Sequence, residues 1–314
     1  MKITIGKLIN SILGLVGLRL VKSEALKPTP VPIEASSFAL EIGEYSVITN
    51  SPILSHVNDT NFEHNKPISR LVNKLSLNGA ISMIDIGANC GDTCAMAKKD
   101  CPNLEVLCIE GDDILFEILK QNAEQFTNTE LMKCYLGEKP ERIQVSIDQV
   151  GKNNTLSVKD TNGGQFSDIE IKTLDDVVEG WGALSRLRFL KCDTEGFDIR
   201  VLMGAEKLIR GKKPVLLFEY NRQAMDQVGE EGTRIFKRLS EWGYKRIGVY
   251  DAYSRFLLSM KLDEKELLQD LEEYIDGKPI SVYFYDFVVF SEDDDELAQK
   301  FFEAERLYRK QATR

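Results

Sequence analysis

Met83-Ile84-Asp85-Ile86-Gly87-Ala88-Asn89-Cys90-Gly91-Asp92-Thr93 decides how the rest of the chain is read. An apolar run ends, a glycine-bearing turn follows, and a helix begins. Gly87 and Gly91 can enter backbone conformations closed to other residues and let the chain pass close to a ligand. Asn89 tolerates the left-handed region better than most side chains. In open α/β sheets ligands bind outside the carboxyl ends of the strands, where this turn would lie.

Outward from it the pattern is regular. Ile81–Ile86 reads as a buried strand, Gly91–Asp100 as a helix, Leu104–Ile109 as a strand and Asp112–Gln125 as a helix. A third strand is expected at Leu131–Leu136, hairpin material from Arg142 to Ile171, and a short helix at Leu174–Glu179. Strands follow at Leu187–Cys192, Val215–Glu219, Tyr244–Tyr250 and Val282–Phe290, with helices at Ile199–Arg210, Thr233–Trp242 and Glu264–Ile275. Such alternation predicts an α/β fold, a mostly parallel sheet with helices on both faces. The final strand pair has no obvious crossover, so the last strand is expected to be antiparallel.

Glu110 ends the next strand, 23 residues after Gly87 (110 − 87). An acid there can accept hydrogen bonds from both hydroxyls of a ribose. Turn and acid together point to an adenosine-bearing cofactor. A nicotinamide fingerprint wants G-x-G-x-x-G, whereas this turn runs G-x-N-x-G with Asp85 ahead of it. That carboxylate would repel a pyrophosphate and suits the cationic end of S-adenosyl-L-methionine. A nicotinamide-dependent oxidoreductase, or a non-catalytic binding module on the same fold, are the competing readings.

Asp193 and Glu195, in Lys191-Cys192-Asp193-Thr194-Glu195-Gly196, fall at the end of a central strand beside the turn. Carboxylates there can position a hydroxyl or take its proton. Glu195 can alternatively cap the next helix. Asp198 reads as a first-turn helix acid, Trp181 and Trp242 as packing residues, and Glu219-Tyr220-Asn221 as a strand end facing the same crevice. Asp193 with Glu219 or Asn221 is a weaker option for a magnesium site.

These motifs resemble the FkbM family of methyltransferases over roughly residues 80 to 290. The resemblance rests on IDIGANCGDT, the strand ending in Glu110, IKTLDDVV (171–178), LKCDTEGFDIRVLMGA (190–205) and YDFVVF (285–290). It implies a class I, Rossmann-like methyltransferase fold and O-methylation, often of sugar hydroxyls in glycans, glycolipids or natural products. Asp85, Gly87, Asn89, Gly91 and Glu110 would then bind the donor, and Asp193 and Glu195 match a second acidic motif.

Composition narrows the partners. The 314 residues carry 40 Lys plus Arg against 50 Asp plus Glu, a net charge of −10, with no basic run, so no nucleic-acid partner is expected. None of the six cysteines forms a C-x-x-C pair; read as reduced, they fit a cytoplasmic catalytic domain. His56 and His64 sit in a polar stretch and read as loop residues. Residues 2–22 place Ile5, Leu8, Ile9, Ile12, Leu15 and Val16 on one helical face with basic flanks. The run is too short to span a bilayer, which takes ~20 apolar residues, so contact with a membrane surface or docking on the domain is expected. The expected organisation is an amphipathic helix (1–26), a linker and extension (27–80), the methyltransferase domain (81–292) and a charged, exposed C-terminal helix (293–314).

Overall fold

β3 (Ser82–Ile86) lies inside the main sheet, and each of its residues is buried. A strand with two apolar faces needs cover on both. The computed structural model describes residues 37–51, 54, 65–146, 166–276 and 284–312, within a unit running from Ser37 to Arg314. His56, His64 and the expected N-terminal helix lie outside the described residues.

Parallel neighbours flank β3: β4 (Glu105–Glu110) on one side and β9 (Leu187–Cys192) on the other. β5 (Thr129–Lys133) lies beyond β4. Outward from β9 come β10 (Val215–Tyr220), β13 (Tyr285–Ser291), β11 (Tyr244–Asp251) and β12 (Phe256–Lys261). Among the described residues this makes eight strands. β13 is antiparallel to β10 and to β11, so the expected antiparallel strand is present. It lies inside the sheet rather than at its edge.

Alternation along the strands sorts the core into two layers. Met83, Val106, Phe189, Leu217 and Val288 meet the hairpin of β1 (Phe38–Ile42) and β2 (Tyr45–Thr49) and the helices Lys66–Ser76, Asp92–Lys98 and Asp295–Ala312. Ile84, Leu107, Leu190, Leu216 and Val289 form the other layer, with the helices Asp198–Met203, Arg234–Glu241 and Lys265–Ile275. By the same period of two, Asp85, Glu110, Lys191, Glu219 and Asp286 all belong to the first face.

Several elements differ from the sequence reading. The single strand expected at Leu131–Leu136 becomes β5 and a separate β6 (Tyr135–Leu136). β6 leaves the main sheet to pair with β8 (Phe166–Lys172), which also takes β7 (Glu141–Ser146) antiparallel. The helix expected at Ile199–Arg210 breaks in two at Gly204, where a Cβ would lie 2.0 Å from the Gly137 carbonyl oxygen and only glycine fits. Asp175, from the short helix Leu174–Val177, caps the second piece, accepting from the Lys207 and Leu208 N–H groups at 2.9 and 2.8 Å. The helix Arg222–Val228 and strand β12 had no sequence expectation.

The C-terminal helix is not simply exposed. Ala298, Phe301, Phe302 and Glu305 are buried, Phe302 stacks edge-on to Phe290 at 5.4 Å, and Arg70 reaches Glu305 at 2.6 Å. Residues ahead of β3 are likewise packed: Leu40, Val47, Ile68, Leu71 and Val72 are buried on the sheet.

Candidate active site

The turn after β3 has the backbone its residues suggested. Gly87, Asn89 and Gly91 all have positive φ, at 72°, 50° and 88°. Gly91 is the left-handed N-cap of the helix Asp92–Lys98. Gly87 makes its close approach to the protein itself: a Cβ would stand 1.8 Å from the Asp193 carbonyl oxygen. The Asp193 N–H donates to the Ile86 carbonyl at 3.0 Å. The turn and the acidic loop are therefore one unit. Asn122 fastens the turn from outside, donating to the carbonyls of Cys90 (2.7 Å) and Ile48 (2.8 Å).

Glu110 lies at the end of β4, nearly buried. One carboxylate oxygen accepts from the Asn89 N–H and the other from the Asp112 N–H, both at 2.9 Å. Burial raises its pKa, and these two N–H groups oppose that. Each oxygen keeps a second lone pair for a ligand. The Asn89 side-chain oxygen is buried without a hydrogen-bond partner, an acceptor beside the same turn.

Asp85 lies deeper, 0% exposed, and neither of its oxygens makes a hydrogen bond. Its cross-strand register partner is Lys191, whose ammonium stands 3.4 Å from Oδ1. The same ammonium is 3.4 Å from Asp193 Oδ2 and donates to the Gly87 carbonyl at 3.3 Å. Burial pushes the Asp85 carboxyl up to about 6, although Lys191 pulls it down. On Lys191 burial pulls downward, but Asp193, Asp85 and Asp92 outweigh it and hold the ammonium well above its ordinary value. The sequence reading aimed Asp85 at the donor directly; the structure sets it beneath the turn, against Lys191. Lys191 itself was missed, since a lysine inside an apolar strand run gives no sign of its partners until the register is known.

Asp193 is the open member of this group, its side chain 42% exposed. Glu195 is exposed and left-handed at φ 51°, an uncommon state for a non-glycine residue. Asp198 organises the loop between them, accepting from the Thr194 and Gly196 N–H groups at 3.2 and 3.3 Å. Glu219 is nearly buried, pairs in register with Asp286, and accepts from the Asn221 amide at 3.3 Å. Burial, then Asp193 and Glu195, raise Glu219 well above the carboxylate range. Burial, then Asp193, push Asp286 up to about 8. Among the described residues no three or more such side chains converge to hold a metal ion. Trp181 and Trp242 are buried, as packing residues should be.

A glycine turn and a buried acid stand at adjacent strand ends, and an antiparallel strand inside a parallel sheet is the class I methyltransferase layout. The FkbM methyltransferase domain matches residues 85–246, and the chain belongs to that family. The matched segment is a methyltransferase domain, whose cofactor is S-adenosylmethionine. Solved structures similar to it include methyltransferase FkbM from Methylobacillus flagellatus, at 19% identity over 60% of this chain, TM-score 0.41. The match spans about half (47%) of that protein. A TehB-like methyltransferase from Corynebacterium glutamicum is 12% identical, covering 72% of this chain and 88% of its own, TM-score 0.34. The plantazolicin methyltransferase BpumL is 8% identical, covering 76% and 86%, TM-score 0.38. No curated protein matches the chain. Spare acceptors on Glu110 and Asn89 would suit the ribose of that cofactor.

Proposed function

We propose that the protein methylates a hydroxyl oxygen, on a sugar of a glycan, glycolipid or natural product. The observation that carries this reading is Asp193, a carboxylate open to solvent and joined by its backbone to the donor turn. In this reading Gly87, Asn89, Gly91 and Glu110 hold the donor, and Asp85 adds negative charge from beneath. When bound, the donor supplies an electrophilic methyl group whose bond to sulfur breaks as the new bond to oxygen forms. Asp193 takes the hydroxyl proton, and Glu195 helps orient the acceptor. Alignment of this kind can supply ~7–11 kcal/mol of the barrier. Asp286, pushed up to about 8, offers a hydrogen-bond donor to a polyhydroxylated acceptor near neutral pH, and burial raises Glu219 beside it.

Incubating the enzyme with isotope-labelled donor and lysate glycans, followed by mass analysis, tests this. A methyl ether on a sugar is expected; label found only on nitrogen or on protein would overturn it. Residues 2–22 are proposed to bring the enzyme to a membrane surface, on their amphipathic, basic sequence. Deleting residues 1–26 should lower co-sedimentation with anionic vesicles and leave donor binding intact; equal sedimentation of both forms would discard the idea. Among the described residues no helix is long and apolar enough to cross a membrane.

A further inference from the structure

The Lys191 ammonium is buried at the one point where the donor turn, the acidic loop and β3 meet. An ammonium has three donors and no acceptor. Here three oxygens from three places surround it: Asp85 Oδ1 (3.4 Å), Asp193 Oδ2 (3.4 Å) and the Gly87 carbonyl (3.3 Å). Two of these belong to functional segments and one to the strand beneath them. Asp85 has no other bonding partner and lies directly across the sheet from Lys191.

We infer that Lys191 is a positioning residue of the methyl transfer: it holds the Asp193 carboxylate at the donor turn, with Asp85 as the buried counter-charge that keeps the lysine in place. This rests on Asp193 being the base. The arrangement answers two problems of a carboxylate at this site. Asp193 is surrounded by acids: Asp85 on β3, Asp198 on its own loop, Glu219 on β10 and Asp286 on β13 each interact with it electrostatically. Lys191 is the cation in contact with it. The Asp193 side chain is also largely open, so without Lys191 little would fix its direction. Because the ammonium also holds the Gly87 carbonyl, a shift of the turn is felt at the base.

A simpler role is possible for a buried lysine, that of neutralising Asp85 and nothing more. Lys191→Met alone cannot separate the two, since it strands Asp85 uncompensated and risks unfolding. The double variant Asp85→Asn with Lys191→Met removes both buried charges and is compared with Asp85→Asn alone. Both are assayed at saturating donor and acceptor, so that weaker donor binding falls in KM rather than kcat. The inference expects kcat of the double variant to be at least ~10-fold below that of the single, with thermal midpoints alike. Equal kcat in the two variants would reduce Lys191 to a counter-ion for Asp85. Asp193→Asn is run beside them: near-normal turnover there sinks the base assignment, whereas a large loss with equal kcat in the other pair sinks only the role of Lys191.

Discussion

On either side of β3 a carboxylate closes the flanking strand, and the two are held in opposite ways. Glu110 has both oxygens on backbone N–H groups at 2.9 Å, and little of it is exposed. Asp193 is fixed by its backbone, through its N–H to Ile86 at 3.0 Å, while its side chain meets Lys191 at 3.4 Å and is otherwise open. A carboxylate pinned by N–H groups keeps its shape with or without ligand and suits recognition. One whose position depends on a single neighbouring charge is free to exchange a proton. On the proposed function, the donor side is thus preformed by backbone geometry, and the acceptor side is governed by charge.

The contact between the two sides is the place to break this scheme. Gly87→Ala puts a Cβ into the Asp193 carbonyl at a φ of 72°, so neither rotation nor a small shift relieves it. We expect a stability loss of ~4 kcal/mol or more, at the top of the range for single substitutions, measured by urea unfolding. A loss under ~1 kcal/mol would mean the two segments are less tightly joined than drawn.

Asp193→Asn should sharpen the contrast between recognition and reaction. Turnover is expected to fall by ~10²–10⁴ while donor affinity changes by no more than a few-fold. Glu195→Gln should do less. Glu110→Ala is the mirror case, weakening donor binding by ~1.5–3 kcal/mol in calorimetry, the worth of hydrogen bonds to a charged group. Unchanged affinity there would remove Glu110 from the donor site.

A last effect concerns pH. Asp286 holds its proton to about pH 8 in the folded protein, against an ordinary value of 3.8. Between those values the folded state binds more protons than the unfolded one, so this group's contribution makes stability fall as pH rises through the window. Asp286→Asn removes that slope, which can reach at most ~1.4 kcal/mol per pH unit. Unfolding midpoints at pH 5 and pH 8 should therefore differ less in the variant than in the parent; an equal difference would show that Asp286 titrates normally.

The sequence alone determined a good deal, and for local reasons. The turn from Gly87 to Gly91, the β3, β4, β9 and β10 segments and the helix that starts at Asp112 depend on neighbouring residues and were legible as such. Apolar period and glycine placement carry that information along the chain. Other features depend on pieces far apart. Position 204 must be glycine because Gly137 lies against it, Tyr135-Leu136 leaves the main sheet because Ile171 and Lys172 pair with it, and the C-terminal helix docks through Phe301 and Phe302. The pairing of Asp85 with Lys191 is of the same kind. The two residues are distant in sequence, and only the parallel register of β3 on β9 sets them opposite each other. Cross-strand register is a property of the assembled sheet, so the charge balance at this site was decided by the tertiary structure and by nothing written along either strand.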